Sequence, residues 1–212
     1  MKRARHKIIA HACKMIGGFD AITWRMVLRP TEHIARFFSL DRTSGPTYFR
    51  VWHGFLPLYE HSEHFNLGYA RYRLPEGGEE HLVVPPGTEQ QAAEELVGRI
   101  IPKYLDKLAK VRTPEDFLVA AAERFADAVE TRFDTYELGY ALTLFMAGHV
   151  GQAREALARV AGRDGSYPPT NHRARAFLAI LDRSEIDFAA AMAALEDRNA
   201  QNLFHGKLTR TA

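Results

Sequence analysis

His81-Leu82-Val83-Val84-Pro85-Pro86-Gly87-Thr88-Glu89-Gln90-Gln91 divides this chain into two kinds of structure. Its first four residues read as a short edge strand, and two prolines followed by glycine end any sheet there. Thr88 then stands where a helix N-cap belongs, with Gln91 at the capping-box position. Extended segments precede this point and helical ones follow it. The chain is therefore expected to be α+β. Residues 1–86 form an N-terminal helix and an antiparallel four- to five-stranded sheet. Residues 87–212 form an all-helical half packed on that sheet as one unit.

Working back from His81, Pro75-Glu76-Gly77-Gly78 is a strong turn signal, and His64 to Leu74 reads as a strand. Thr47 to Phe55 is rich in aromatic and β-branched residues, as strands are. Arg42-Thr43-Ser44-Gly45-Pro46 is a turn, and Ile34 to Leu40 is read as a further strand. From Ala21, Ile22, Trp24, Met26 and Leu28 alternate with Thr23, Arg25, Val27 and Arg29, the pattern of one half-buried strand ended by Pro30. Residues 3–16 carry Ile8, Ile9, Ala12 and Ile16 near helical spacing, closed by Gly17-Gly18. Short turns between these strands leave no room for parallel crossovers, so the sheet is an antiparallel meander.

Working forward, the helix from Thr88 should reach about Leu108, broken or kinked near Ile101 by Pro102. Thr113-Pro114-Glu115-Asp116 is a better start: an N-cap, proline at the first helical position, then two acids complementing the helix dipole. Phe117, Ala121, Phe125 and Ala128 form the apolar stripe of that helix. Thr135–Met146 and Gln152–Val160 are paired about Gly148, and Asn171–Leu181 and Glu185–Leu195 follow. The tail from Gln201 is expected to fray. Small residues at Ala141, Gly148 and Ala153, with Leu157, resemble one tetratricopeptide-type unit, hence TPR-like helical hairpins rather than a full solenoid.

The layout has a wider likeness. The leading helix, Gly18-Phe19, Phe49-Arg50-Val51, Phe65-Asn66-Leu67-Gly68, Ile101-Pro102-Lys103-Tyr104 and Thr113-Pro114-Glu115-Asp116-Phe117 together resemble bacterial proteins of domain of unknown function 4304. The likeness covers about residues 5–160 and rests on loose structural patterns. It implies a small antiparallel sheet followed by helices and, as a function, an immunity-type inhibitor of a toxin. That step is analogy from fold.

Bulk properties remove several other classes. Cys13 is the lone cysteine, which excludes an intrachain disulfide and any multi-cysteine metal site. His11 and Lys14 interrupt the apolar run after the basic start, so no secretory core is present. No stretch approaches the ~18 apolar residues of a membrane span. The expectation is a cytoplasmic protein with no membrane partner and no cofactor. Residues 1–86 carry 12 Lys/Arg against 8 Asp/Glu, and residues 87–212 carry 16 against 18, a mild polarity.

The candidate binding surface comes from strand parity. Tyr48, Arg50 and Trp52 share one side of their strand, and Tyr69, Arg71 and Arg73 share one side of theirs. Thr23, Arg25 and Arg29 do the same. If these sides coincide, one sheet face is cationic and aromatic, suited to an acidic protein patch or single-stranded nucleic acid. Alternatively the arginines are solvated while helices bury Trp52 and Tyr69. A second constellation, His53, His61 and His64 with His81 across strands, has the residue type of a metal-dependent hydrolase. Against it, His53 shares parity with Phe49, Val51 and Phe55 and should pack among them. Lys2, Arg3, Arg5 and Lys7 form a basic helix end, either solvated or touching phosphates. Cys13 is expected to be inert packing, and no nucleophile elbow, Walker loop or dinucleotide fingerprint occurs. The leading expectation is a protein-interaction module that is not an enzyme. A nucleic-acid-binding module and the histidine-based hydrolase are the alternatives.

Overall fold

The computed structural model describes residues 2–43, 45, 47–60, 80–130, 134–163 and 168–210. Helix α1 spans Lys2–Ile16. Ile8, Ile9 and Ala12 lie on one face and are fully buried, and Gly17 and Gly18, both at φ +66°, turn the chain out of the helix.

Five antiparallel strands follow in sequence order: β1 (Phe19–Ile22), β2 (Arg25–Leu28), β3 (Ile34–Arg42), β4 (Tyr48–Pro57) and β5 (Glu80–Val83). The α+β class and the meander are as the sequence pattern predicts. The strand expected at His64–Leu74 lies outside the described residues.

One expected strand is in fact a hairpin. Ile22 pairs with Arg25, leaving Thr23 and Trp24 as a two-residue turn with Thr23 at φ 56°. Tight hairpins need such backbone, and they usually announce it with Gly or Asn. Here threonine takes the position, so the alternation ran straight through the turn. The consequence is a change of face. Ile22 lies with Arg25 and Val27, opposite Met26 and Leu28.

The expected helix after Thr88 is continuous but uneven. It comprises α2 (Glu89–Glu95), a π-helical turn at Leu96–Ile100, and α3 (Ile101–Lys110). Pro102 cannot donate a hydrogen bond, and its ring would crowd the preceding turn of a regular helix; widening that turn relieves the clash. The capping box expected at Thr88 is not formed. Its hydroxyl donates to the Pro85 carbonyl at 2.8 Å instead.

Compact packing groups the chain in a way its linear order does not. One unit joins Met1–Pro57, Ser62–Val111 and Ala200–Ala212; the other joins Leu58–His61 and Arg112–Asn199. The switch from sheet to helix near Gly87 thus falls inside the first unit, where α2 and α3 belong with the strands.

In that unit α1 and α3 cover the sheet face of Phe19, Phe38 and His53. The opposite face receives the segment from Gln201, expected to fray but helical through Phe204 and held by contacts as far as Arg210. Arg25, 5% exposed, donates from Nη1 to the Leu203 carbonyl at 2.8 Å, and its guanidinium lies 5.9 Å from the Phe204 ring. Beyond the helix, the Thr209 amide and hydroxyl donate to Asp20 at 2.6 and 2.8 Å, and Thr31 bridges to Arg210.

In the second unit the capping box at Thr113 and Asp116 starts α4 (Pro114–Ala120). The stripe expected to run on to Ala128 breaks at Ala121, where α5 (Ala122–Glu130) begins, and Phe117 meets Phe125 edge-on at 5.7 Å. α6 (Asp134–Met146) and α7 (Val150–Ala161) pack as the expected hairpin. Gly148 at φ +88° closes α6, with the Gly148 and His149 amides donating to Phe145 and Leu144 carbonyls. Ala141, Ala153 and Leu157 are fully buried between the helices. α8 (Pro168–Arg183) and α9 (Glu185–Phe204) complete the fold, Phe188 of α9 lying 4.4 Å from Phe145. The short segment 58–60 joins this unit through Tyr59, whose hydroxyl donates to Thr143, and through Asn199, which donates to the Leu58 and Glu60 carbonyls.

Arg25 anchors the returning chain, so Arg25→Ala should lower unfolding stability by about 2–3 kcal/mol, combining a lost charged hydrogen bond with lost stem packing. Urea denaturation is the check; a loss within ~0.5 kcal/mol would mean the C-terminal segment holds its place without it.

Candidate functional site

The register of β3, β4 and β5 settles which side chains share a face. Residues directly opposite one another project to the same side. Arg50 pairs with His81, Tyr48 with Val83 and Trp52 with Ser39. Tyr48, Arg50, Trp52 and His81 therefore lie together. The Arg50 guanidinium sits 5.3 Å from the Trp52 ring centroid, and the Tyr48 and His81 rings are 5.2 Å apart. Tyr48 is 42% exposed and Val83 53%, while Arg50, Trp52 and His81 are half-buried.

Arg25, paired with Ser39, also projects to this face, so two of the three arginine-bearing segments are traced to at least one shared side. It is not part of the accessible surface, being buried beneath the end of α9. Thr23 and Arg29 lie outside the strands. Tyr69, Arg71 and Arg73 lie outside the described residues.

The histidine constellation separates. His53 projects to the opposite face from His81, so the two cannot ligate one ion across the strands. Its ring stacks on Tyr104 at 3.9 Å and 17°, with Phe38 at 6.3 Å. Burial lowers its pKa to about 4, helped by the charge of Lys107 and opposed by that of Glu80. A neutral imidazole packed between rings is a core residue, as its parity with Phe49, Val51 and Phe55 predicts. His61 and His64 lie outside the described residues, and among those described no group of three His, Cys, Asp or Glu is placed to hold a metal ion. Cys13 is pushed up to about 12, first by burial and then by Asp20, so its thiol stays protonated and weakly nucleophilic at neutral pH.

The polar cluster that sequence reasoning missed lies beside His53. Glu80 accepts from Lys103 Nζ at 2.6 Å, Arg99 Nη1 at 2.8 Å and the Tyr104 hydroxyl at 3.3 Å. Arg99 also holds Glu95 at 2.7 Å. Burial pushes the Glu80 carboxyl up, but hydrogen bonds and charge from Lys103 and Arg99 outweigh it and hold it below its ordinary value. The four-residue spacing of Glu95, Arg99 and Lys103 was visible as a helix-face ion-pair pattern. What it did not reveal was the carboxylate on β5 that this row clamps. The cluster fastens an edge strand to α3.

In the second unit Glu137, fully buried on α6, is paired with Arg159 at 3.1 Å and with Arg163. Both cations come from the α7 side of the hairpin, so this too is a structural clamp. No described helix is long and apolar enough to cross a membrane.

No family model matches this chain, and no curated protein or solved structure matches it.

Two pH effects follow. Because the folded pKa of Glu80 is depressed, its contribution is present above the ordinary value of 4.5 and is lost as pH falls through the lower folded value. Glu80→Gln should cost about 1 kcal/mol at pH 7, allowing for solvent screening of the half-exposed Lys103 and Arg99. In chemical denaturation the gap to wild type should narrow below pH 4.5; a constant gap from pH 7 to 3 would show the charge is not what counts. For His53 the unfolded chain binds the proton from about pH 6.5 and the folded one only near 4, so stability declines across that interval. His53→Phe should flatten this decline, whereas an unchanged slope would locate it elsewhere.

Proposed function

We propose that this chain is a protein-interaction module whose contact surface is centred on Tyr48, Arg50, Trp52 and His81, and that it acts as an immunity-type inhibitor of a toxin. The observation that carries the reading is the arginine laid over Trp52 beside the Tyr48–His81 pair on one sheet face. Arg, Trp and Tyr are the residues most enriched at binding hot spots, and an arginine ordered by a ring loses less freedom when it meets a carboxylate. Among the described residues, three groups that chemistry would recruit are otherwise engaged. His53 is neutral in a ring stack, the Cys13 thiol is raised, and Glu80 is clamped by two cations. The likeness to proteins of domain of unknown function 4304 supplies the toxin-inhibitor part of the reading, as analogy.

The test is co-expression with the product of the adjacent gene, followed by titration of the purified pair. Wild type should bind it and relieve its toxicity. Trp52→Ala should weaken binding by at least ~30-fold, the equivalent of a ~2 kcal/mol hot spot. Arg50→Glu should do the same while the fold is retained by circular dichroism. A wild-type chain that neither binds nor neutralises the neighbour would overturn the reading. If the same face instead binds single-stranded nucleic acid with steep salt dependence, the nucleic-acid alternative replaces it.

A further inference from the structure

Helix α1, KRARHKIIAHACKMI, contains five Lys/Arg, two His and no acidic residue. Arg3, His6, Lys7, Ala10 and Lys14 are exposed, while Ile8, Ile9 and Ala12 are fully buried in the core. At 1.5 Å per residue, Arg3, Lys7 and Lys14 form a row about 16 Å long. None of the three makes an ion pair among the described residues. By contrast Arg29, Arg99, Lys103, Arg154, Arg159 and Arg183 all do. Of the acids on α2, which packs against α1, Glu95 is held by Arg99 and Glu94 by Gln90.

Lys14, in the last turn, complements the helix dipole, but helix stability does not account for Arg3 and Lys7. Cations in the first turns oppose the helix dipole, and the first turn of α1 has no acid to offset them. The compact units sharpen the point. The unit containing α1 has 18 Lys/Arg against 11 Asp/Glu, net +7, and the other has 10 against 15, net −5. A near-neutral chain thus carries one strongly cationic unit, with an acid-free helix on it.

From this we infer that the outer face of α1 docks a phosphate polyanion, the backbone of a nucleic acid, through Arg3, Lys7 and Lys14. A membrane surface fits less well, because the apolar residues that would enter the lipid boundary are already in the core. An acidic protein also fits less well. Protein interfaces centre on large apolar or aromatic anchors and are poor in lysine, whereas the middle of this face offers Ala10, and only Met15 at its end is a large exposed apolar side chain. Arg5 is set beside the row, its guanidinium 4.9 Å from the Trp24 ring and its Nη1 donating to the Leu40 carbonyl at 3.3 Å. It is held by the fold and leaves the outer three cations to reach phosphate.

The inference is independent of the sheet-face reading, and its test uses other residues. Labelled single-stranded DNA and RNA 20-mers are titrated by fluorescence anisotropy from 50 to 200 mM salt. The full chain is compared with Arg3→Gln/Lys7→Gln/Lys14→Gln, which keeps helix propensity. Wild type should bind at 50 mM salt, and the triple variant should bind at least tenfold more weakly. The slope of log K against log salt should become shallower by about 2, at roughly 0.7 per lost phosphate contact. A control removing Lys110, Arg173 and Arg198 should leave both quantities unchanged. Absence of binding by wild type at 50 mM salt overturns the inference, as does a triple variant indistinguishable from wild type. Equal competition by polyglutamate at matched charge would assign the face to acidic proteins and overturn it too.

Discussion

The centre of the sheet has no solvent side. Every residue of β3 from Ile34 to Leu40 is buried, so both faces of the meander must be covered. An open five-stranded meander buried in this way needs a layer packed on each side. On one face α1 and α3 supply it, with His53, Phe38 and Tyr104 at the contact. On the other, the end of α9 returns from the far end of the chain. Arg25 makes this return possible by turning an apparent defect into a fit. A guanidinium among apolar groups loses hydration, and burial lowers its pKa to about 10, which still leaves it charged at neutral pH. The Leu203 carbonyl belongs to the last turn of α9, where backbone acceptors lack helical partners and the dipole favours a cation. Trp24 lies against the same guanidinium at 4.8 Å. One side chain thus satisfies a helix end and anchors the second layer.

What the sequence disclosed and what it hid divide along the range of the interactions. Thr113-Pro114-Glu115-Asp116, Gly148 and Pro85-Pro86-Gly87 act through their own neighbours, and each marks an element boundary found in the structure. The parity of Tyr48, Arg50 and Trp52 is likewise local, and it correctly placed His53 on the other face. The Thr23-Trp24 turn was hidden because threonine at positive φ gives no compositional signal. The burial of Arg25 was hidden for a different reason. Its partner lies 178 residues away, and parity states which side an arginine takes but not what will cover that side. The grouping of segment 58–60 with the helices, through Tyr59 and Asn199, is equally non-local.

Three ionic groups withdrawn from solvent share one logic. Glu80, Glu137 and Arg25 each bind elements from separate stretches of chain: β5 to α3, α6 to α7, β2 to α9. Buried pairs add little net stability over well-packed apolar residues, since desolvation offsets much of their attraction. Their effect lies in the asymmetry of failure: a misplaced element leaves a charge buried without its partner. These three contacts therefore favour one arrangement of layers over its neighbours more than they deepen the folded state.

That division of labour bears on where function can reside. Charges that hold layers together have fixed partners, so they have little freedom to meet a ligand. Charges outside this set are the ones available for recognition. Among the described residues of the sheet unit, Arg3, Lys7 and Lys14 on the outer side of α1 belong to this second group, and the inner side of that helix is buried against the core. Arg50 is intermediate, half-buried and ordered over Trp52 while its neighbour Tyr48 stays accessible. The same unit thus presents an arginine set by aromatic packing on the sheet and a flexible cationic row on a helix. An ordered guanidinium discriminates geometry, whereas lysines on long stems respond chiefly to charge. The two surfaces are suited to different tasks, specificity on the sheet and long-range electrostatic attraction on the helix.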